Sequence, residues 1–293
     1  MYQSEITPAH RTLKPAEFSV TQLQNGTLHA DRTVIDLGPI RIAKRDFSLA
    51  FRAKGEVAPA TYLIGLTDGT AKALWSGVPV ESGDLATTRG PIDLCTTGAA
   101  SFYTLTIVEG FPWLDVDDKV AQVRMRSGVS RLRLFLRELF AAGHAVSKTP
   151  KYVIEEIVNV LTTIDGTSAV GPNRSQSRRI RAVRECQAYV AEHMGNRVTL
   201  FDLSEISGMR PRSLINAFEA LTGLSPMAFL RAERLNRVKE TLRSAGPHAP
   251  RVIDVATEWG FWHMGHFAMA YRSMFGESPS ETLRHVPPSR SRS

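Results

Sequence analysis

The chain has 293 residues, 43% of them hydrophobic and 22% charged, a composition that excludes a wholly disordered or fibrous protein. At roughly 150 residues per domain this length predicts about two domains, each long enough to bury a core. The net charge of +7 is unevenly spread: residues 1–170 hold 18 basic and 18 acidic residues, whereas 171–293 hold 18 and 11, and Lys239 is the one base there that is not Arg. Arginine forks suit phosphates and base edges, so the second part points to an anionic partner, against the plainer alternative of a solvated helical surface. Cys95 and Cys186 form neither a disulfide framework nor a CxxC metal pair, which fits reduced thiols. Residues 1–18 are polar without a signal-peptide core, and no apolar run approaches the roughly 18 residues that span a bilayer, so a cytoplasmic protein without membrane contact is expected.

The first half reads as strands. Asn25-Gly26 is a turn signal, and stretches at 27–37, 40–52, 62–66, 71–75, 84–88, 92–96 and 102–108 are rich in β-formers, with Gly, Pro, Asp or Ser between them. Evenly spaced short strands predict a sandwich or small barrel. A helix is expected over 117–142, from Asp117-Asp118 through Val120, Val123, Leu132, Phe135, Leu136, Leu139 and Phe140, and another over 150–164. The stretch 165–177 (DGTSAVGPNRSQS) has no periodicity and reads as an interdomain linker.

From Arg178 onward the pattern is helical. A helix over 178–194 ends at Gly195-Asn196; Thr199 caps a short one that Gly208 stops; a third runs to Thr222 and Gly223. Ser225-Pro226 opens a long helix through Ser244 that buries Leu235, Val238 and Leu242. Helices over 253–259 and 263–275 follow, closed by Gly260 and Gly276, and Ser278-Pro279-Ser280-Glu281 is a capping box.

These helices contain a duplication. Asp202–Gly208 aligns with Asp254–Gly260 at a distance of 52 residues, and Phe218, Gly223 and Ser225-Pro226 align with Tyr271, Gly276 and Ser278-Pro279 at 53. Each copy is a short helix, a glycine-containing turn and a second helix, the helix-turn-helix pattern. The long helix from Ser225 joins them, so two reading helices on one unit are spaced to enter successive major grooves. Leu214, Phe218 and Leu221 form the buried stripe of the first reading helix, and Phe267, Tyr271 and Met274 that of the second.

Thr199-Leu200-Phe201-Asp202-Leu203, Gly208-Met209, Thr222 to Pro226, Arg231 to Leu235, Val255-Ala256, Trp259-Gly260-Phe261 and Phe275 to Pro279 resemble the DNA-binding domain of the AraC/XylS-type transcription regulators, over about 110 residues. Within that family, residues 256–268 with Arg212–Phe218 are most similar to the ethanolamine-utilisation regulators. Those respond to an adenosylated cobalamin, but the likeness lies in the DNA-binding half, and no Asp-x-His-x-x-Gly cobalamin-ligand motif is present, so no cofactor is expected. The resemblance implies double-stranded promoter DNA, RNA polymerase and a second copy of the chain as partners, and an activator.

It also places base contacts at Arg212, Ile215 and Asn216. Arg212 suits guanine O6/N7, Asn216 adenine N6/N7, and Ile215 a thymine methyl, with Arg210 and Ser213 beside them. In the second copy Met264, Gly265, His266 and Met269 face DNA, His263 sits in the turn and Arg272 suits a phosphate. That surface is apolar, so either His266 makes the polar base contact with methionines reading shape, or the helix docks mainly on phosphates. Arg178, Arg179, Arg181, Arg184, Arg231, Arg234 and Arg251 are further phosphate candidates. His193 suits the C-terminal dipole of its helix.

The resemblance implies an effector-binding N-terminal barrel whose following helix dimerises, which puts Leu136 at the dimer contact. The alternatives are a pure protein-interaction domain and a cupin-type metal enzyme. A metal site needs converging histidines, and residues 1–170 offer only His10, His29 and His144, so neither catalytic nor metal-binding residues are expected. Trp75, Phe102, Tyr103, Phe111 and Trp113 either line a pocket or form core. The expected fold is α+β in two domains: a small β-barrel or jelly-roll-like domain with following helices over 1–168, strand-rich to about 110 and helical over 115–165; a linker at 169–177; an all-α domain with two helix-turn-helix motifs over 178–286; and a disordered tail at 287–293.

Overall fold

A computed structural model describes residues 17–68, 72–80, 84–108, 122–125, 129–142, 150–163, 174–245 and 250–284. Strands alternate their side chains between two faces, and here each sheet has packing on both faces, with the edge strand at 30–36 largely exposed. One sheet has five strands in the order β1(Glu17–Gln22), β4(Phe51–Glu56), β9(Pro91–Thr96), β6(Ala73–Trp75) and β7(Val78–Val80). The other has six, in the order β11(Gln122–Met125), β8(Asp84–Thr88), β5(Thr61–Thr67), β10(Ala100–Val108), β3(Ile40–Phe47) and β2(Ala30–Asp36). Every pairing is antiparallel.

Between the sheets lie Phe51, Leu63, Trp75, Ile92, Leu94 and Phe102. Gly65 of β5 is what lets Trp75 lie flat there, since a Cβ at that position would stand 2.6 Å from the indole ring. The outer face of the six-stranded sheet packs Ile42, Ile64, Leu105 and Ile107 against α1(Val129–Ala141) and α2(Pro150–Thr163). The outer face of the five-stranded sheet packs Leu23, Ala50, Leu74 and Cys95 into the core of the helical half. The layers therefore run helix pair, sheet, inner core, sheet, helical half.

Four expectations for the first half change. The sheets do not close into a barrel: β1 and β2 pair on one side only, with β4 and β3, and not with each other. The stretch 40–52 is two strands in different sheets, because the chain turns at Ser48-Leu49, and β1 and β7 are additional. The helix expected over 117–142 begins at Val129, and 122–125 pairs with β8 as a strand; its expected start at 117–118 lies outside the described residues. Leu136 is fully buried against the sheet, so it is core and not a dimer contact; Leu134, 55% exposed, is the outward apolar residue of α1.

The helical half follows the expected punctuation: α3(Arg174–Glu192), α4(Leu200–Ser207), α5(Pro211–Thr222), α6(Pro226–Arg243), α7(Val252–Glu258), α8(Met264–Phe275) and α9(Pro279–Arg284). Residues 174–177, expected as linker, are the first turn of α3. The rest of that linker, the tail after 284, and His10, Phe111, Trp113, His144 and His248 lie outside the described residues. No described helix is long and apolar enough to cross a membrane.

Candidate nucleic-acid interface

Each reading helix is aimed by the short helix before it. In the first unit Thr199 is extended at φ −111°, its hydroxyl accepts from the Asp202 amide at 3.3 Å, and its own amide donates to Asp202 Oδ2 at 2.8 Å. This closed capping box satisfies two amides that a helix start otherwise leaves unpaired. The bonds from Thr199 hold the Asp202 carboxyl below the ordinary carboxylate range. Gly208 then takes φ +59°, the Ser204 hydroxyl donates to the Met209 carbonyl at 2.5 Å, and Arg210 precedes Pro211 at the start of α5.

The second unit has the same skeleton with different fastenings. Arg251 precedes α7 without a side-chain cap and instead grips Asp254 through two bonds of 2.9 Å. Gly260, at φ +81°, lies against the Arg234 guanidinium, where a Cβ would be 3.0 Å away. Trp259 donates from its indole to Thr241 of α6 at 3.2 Å. His263 precedes α8 without a capping bond, and the Ser278–Glu281 box closes the start of α9.

Both buried stripes form as expected: Leu214 and Phe218 are fully buried with Leu221 half-buried, and Phe267, Tyr271 and Met274 are buried. The Tyr271 hydroxyl and Thr282 share a buried hydrogen bond of 2.8 Å. The faces opposite are open. Arg210, Arg212, Ser213 and Asn216 are exposed and Ile215 is half-buried; His263, Gly265, His266, Met269 and Arg272 are exposed and Met264 is half-buried, packed on the core. Met269 is 65% exposed, a large apolar side chain held in solvent. Trp262, 69% exposed, lies in the turn just before His263; its surroundings in the sequence pattern carried no sign of that exposure.

The arginines separate into two groups. Arg184 donates to the Ser76 carbonyl of the strand half, Arg234 to the Asn196 carbonyl, Arg181 pairs with Glu185 and Arg251 with Asp254. Among the described residues no ion pair engages Arg210, Arg212, Arg231 or Arg272. His193 donates from Nδ1 to the Tyr189 carbonyl at 2.9 Å, at the end of α3, and stacks on the Tyr189 ring. No three His, Cys, Asp or Glu residues among those described stand close enough to hold a metal.

Sequence reasoning missed the seam between the halves. Arg52 of β4 is buried there, donating to both Asp93 oxygens at 2.8 and 2.7 Å and to Gln187 of α3, with Glu233 of α6 at 3.6 Å. Burial pushes the Asp93 carboxyl up, but the Arg52 bonds and charge outweigh it and hold it below the ordinary range. Gln22 and Asn236 exchange backbone–side-chain bonds of 3.0 and 2.9 Å. Gln22 also donates to the Met274 carbonyl, and the Gly26 amide to those of Ser273 and Met274. The strand half thus supplies donors to the last turn of α8, whose carbonyls a helix leaves unpaired. Cys95 and Cys186 both lie in this shared core, where burial pushes their thiols up to about 12 and about 11. The aromatic reading divides: Trp75 and Phe102 line a cavity of about 550 Å³ between the sheets, whereas Tyr103 faces the helix pair and donates to Asp68.

Residues 203–285 match the family model described as a helix-turn-helix domain. Over 95 residues the chain is 39% identical to the XylDLEGF operon transcriptional activator 2 of Pseudomonas putida, covering 32% of this chain and 60% of that protein. Over 105 residues it is 36% identical to the probable thc operon regulatory protein of Rhodococcus erythropolis, covering 36% of this chain and 32% of that one. Among solved structures it is 38% identical to a probable AraC family transcriptional regulator from Rhodopseudomonas palustris, covering 36% of this chain and 98% of that chain at a TM-score of 0.34. The chain spans about a third of the length of the first curated relatives it matches.

Proposed function

The helical half of this chain belongs to the AraC-type helix-turn-helix regulators, and from that premise we propose that the protein is a sequence-specific DNA-binding transcription regulator, an activator, without enzymatic activity. The observation that carries this is the duplication. Two reading helices bury equivalent stripes and leave their opposite faces, including Arg212, Asn216, His266 and Met269, open to solvent. In this reading α5 and α8 enter successive major grooves of promoter DNA. Arg212, Ile215 and Asn216 read bases from α5 with Arg210 and Ser213 beside them; on α8 His266 makes the polar base contact while Met264 and Met269 read shape, with Gly265 between them, His263 in the turn and Arg272 on a phosphate.

The domain reading belongs to this proposal with the linker ending before α3, as 1–168, 169–173, 174–286 and 287–293, and with the first domain sensing a small molecule. RNA polymerase and a second copy of the chain are its protein partners, in the cytoplasm. The helix following the strands carries the dimer contact through Leu134 in place of Leu136. Leu134→Asp is expected to yield folded monomers in light scattering, and an unchanged dimer refutes that contact. The subgroup likeness to ethanolamine-utilisation regulators rests on residues 256–268 and 212–218 alone.

The test is selection of genomic fragments by the full chain, followed by a salt titration of the selected duplexes. Affinity is expected to fall steeply as salt rises, because bound phosphates release counterions. Absence of salt-sensitive binding to any duplex overturns the reading.

A further inference from the structure

We propose that the cavity between the two sheets binds a small, mainly apolar carboxylate, held at its charged end by Arg45 with Arg32 beside it and along its body by the aromatic wall. This rests on the reading of the strand half as a sensor and names the chemical class of what it senses.

The cavity of about 550 Å³ is far more than a close-packed interior leaves empty and falls within the roughly 300–1,000 Å³ of small-molecule sites. Its wall includes Phe47, Phe51, Leu63, Trp75 and Phe102. It reaches the edge at which the sandwich stays open, because β1 and β2 both contribute to its lining and do not pair with each other. A ligand therefore has an entry that a closed barrel would not offer.

The charge inside it is out of place. Alternation along β3 puts Arg45 on the same face as Ala43 and Phe47, facing inward. Its guanidinium donates to the Thr104 hydroxyl and lies 5.0 Å over the Phe18 ring. Arg32 stands directly opposite on β2. Like charges facing each other across a strand pair repel, and a largely buried cation without a counter-ion is costly. Burial, and then the charge of Arg32, lowers the Arg45 pKa to about 10, so it remains cationic at neutral pH.

Among the described residues no carboxylate pairs with either arginine. Asp46 is engaged by Lys44 and Ser101, and Asp36 by Arg41. Asp31 borders the cavity, but its neighbour across the strand pair is Asp46, and it forms no ion pair with Arg32 or Arg45. An anion between the two guanidinium groups relieves both costs. A planar monoanion fits best: one inward guanidinium fork matches a carboxylate, whereas a phosphate dianion calls for more donors than this apolar wall supplies.

Titration calorimetry on the full chain near neutral pH, with phenylbutyrate against phenylbutanol, tests this. These probes share an aromatic body and differ in the charged end. The carboxylate is expected to bind about tenfold or more tightly than the alcohol, the ratio a charge-assisted hydrogen bond supports. Arg45→Met is expected to erase that preference while keeping alcohol binding, and the exposed Arg32→Met, whose folding is not at risk, to reduce it part way. Equal or tighter binding of the alcohol, an unchanged preference in both variants, or no binding of either probe overturns the proposal. Duplex binding on the same preparation separates the two readings. No anion preference in the parent chain with intact DNA binding refutes the anion site alone, and absent DNA binding refutes the regulator.

Discussion

The two reading units share a skeleton and differ in almost everything attached to it. The first is fastened from within by the Thr199–Asp202 box and presents Arg210, Arg212, Ser213 and Asn216, all able to donate hydrogen bonds. The second lacks capping side chains at Arg251 and His263, is held from outside by Arg234, Thr241 and Gln22, and presents methionines and histidines. Duplication thus preserved what packing requires and left the exposed chemistry free to diverge. It also left the units unequally coupled to the strand half, which reaches the last turn of α8 by hydrogen bonds, whereas at the end of α5 Thr97 stands 3.4 Å from where a Cβ on Gly223 would lie.

This contrast can be broken at several levels. Phe218→Ala and Phe267→Ala remove equivalent core side chains, and each is expected to cost about 3–5 kcal/mol in urea denaturation. A large effect in one and a small one in the other would show that the two frames are not equivalent. Arg212→Ala or Asn216→Ala is expected to cost about 1–3 kcal/mol at one cognate base in competition binding, whereas Met269→Ala, at a shape contact, is expected to spread a smaller loss over several positions of the site. Base-specific loss at Met269 would show the second helix reading sequence directly. Thr199→Ala is expected to cost about 1 kcal/mol of stability and His263→Ala less than about 0.5 kcal/mol, since only the first is a capping side chain.

The last contrast is the pH dependence of the seam. The Asp93 carboxyl lies below its unfolded value, near 3.9 for a free aspartate, so its stabilisation is complete above that value and lost as pH falls through the depressed one. Melting temperatures of the parent and Asp93→Asn should differ at neutral pH, begin to converge near pH 4 and meet only below the depressed Asp93 value. A difference that persists in acid would mean that packing, not charge, carries the contact.

The helical half was legible because its signals are local. Thr199, Ser225, Ser278, Gly208, Gly223 and Gly276 act within a turn of where they stand, and the repeat checks each against a second copy. The strand half was less legible because pairing is non-local. Nothing near residues 40–52 says that the chain changes sheets at Ser48, and β11 is defined by a partner about 40 residues earlier. The open edge, which decides sandwich against barrel, is a property of two strands that do not meet. Leu136 shows a related limit: helical period marks a residue as apolar-facing without saying whether a sheet or a second copy covers it. Arg45 carried a readable signal, a charge on the inward face of β3 between Ala43 and Phe47, but only once the register was known.

The five-stranded sheet is, in effect, a diaphragm one residue thick. Along β4, Phe51 and Ala53 face the cavity and Arg52 faces the helices; along β9, Ile92 and Leu94 face the cavity and Asp93 and Cys95 face the helices. Pleating alone assigns neighbours to opposite chambers. A displacement of Phe51 cannot be absorbed without carrying Arg52, and with it Gln187 and Glu233, because a single peptide unit joins them. In the same way, substitutions along these strands will sort by parity, odd and even positions answering to different sides of the partition.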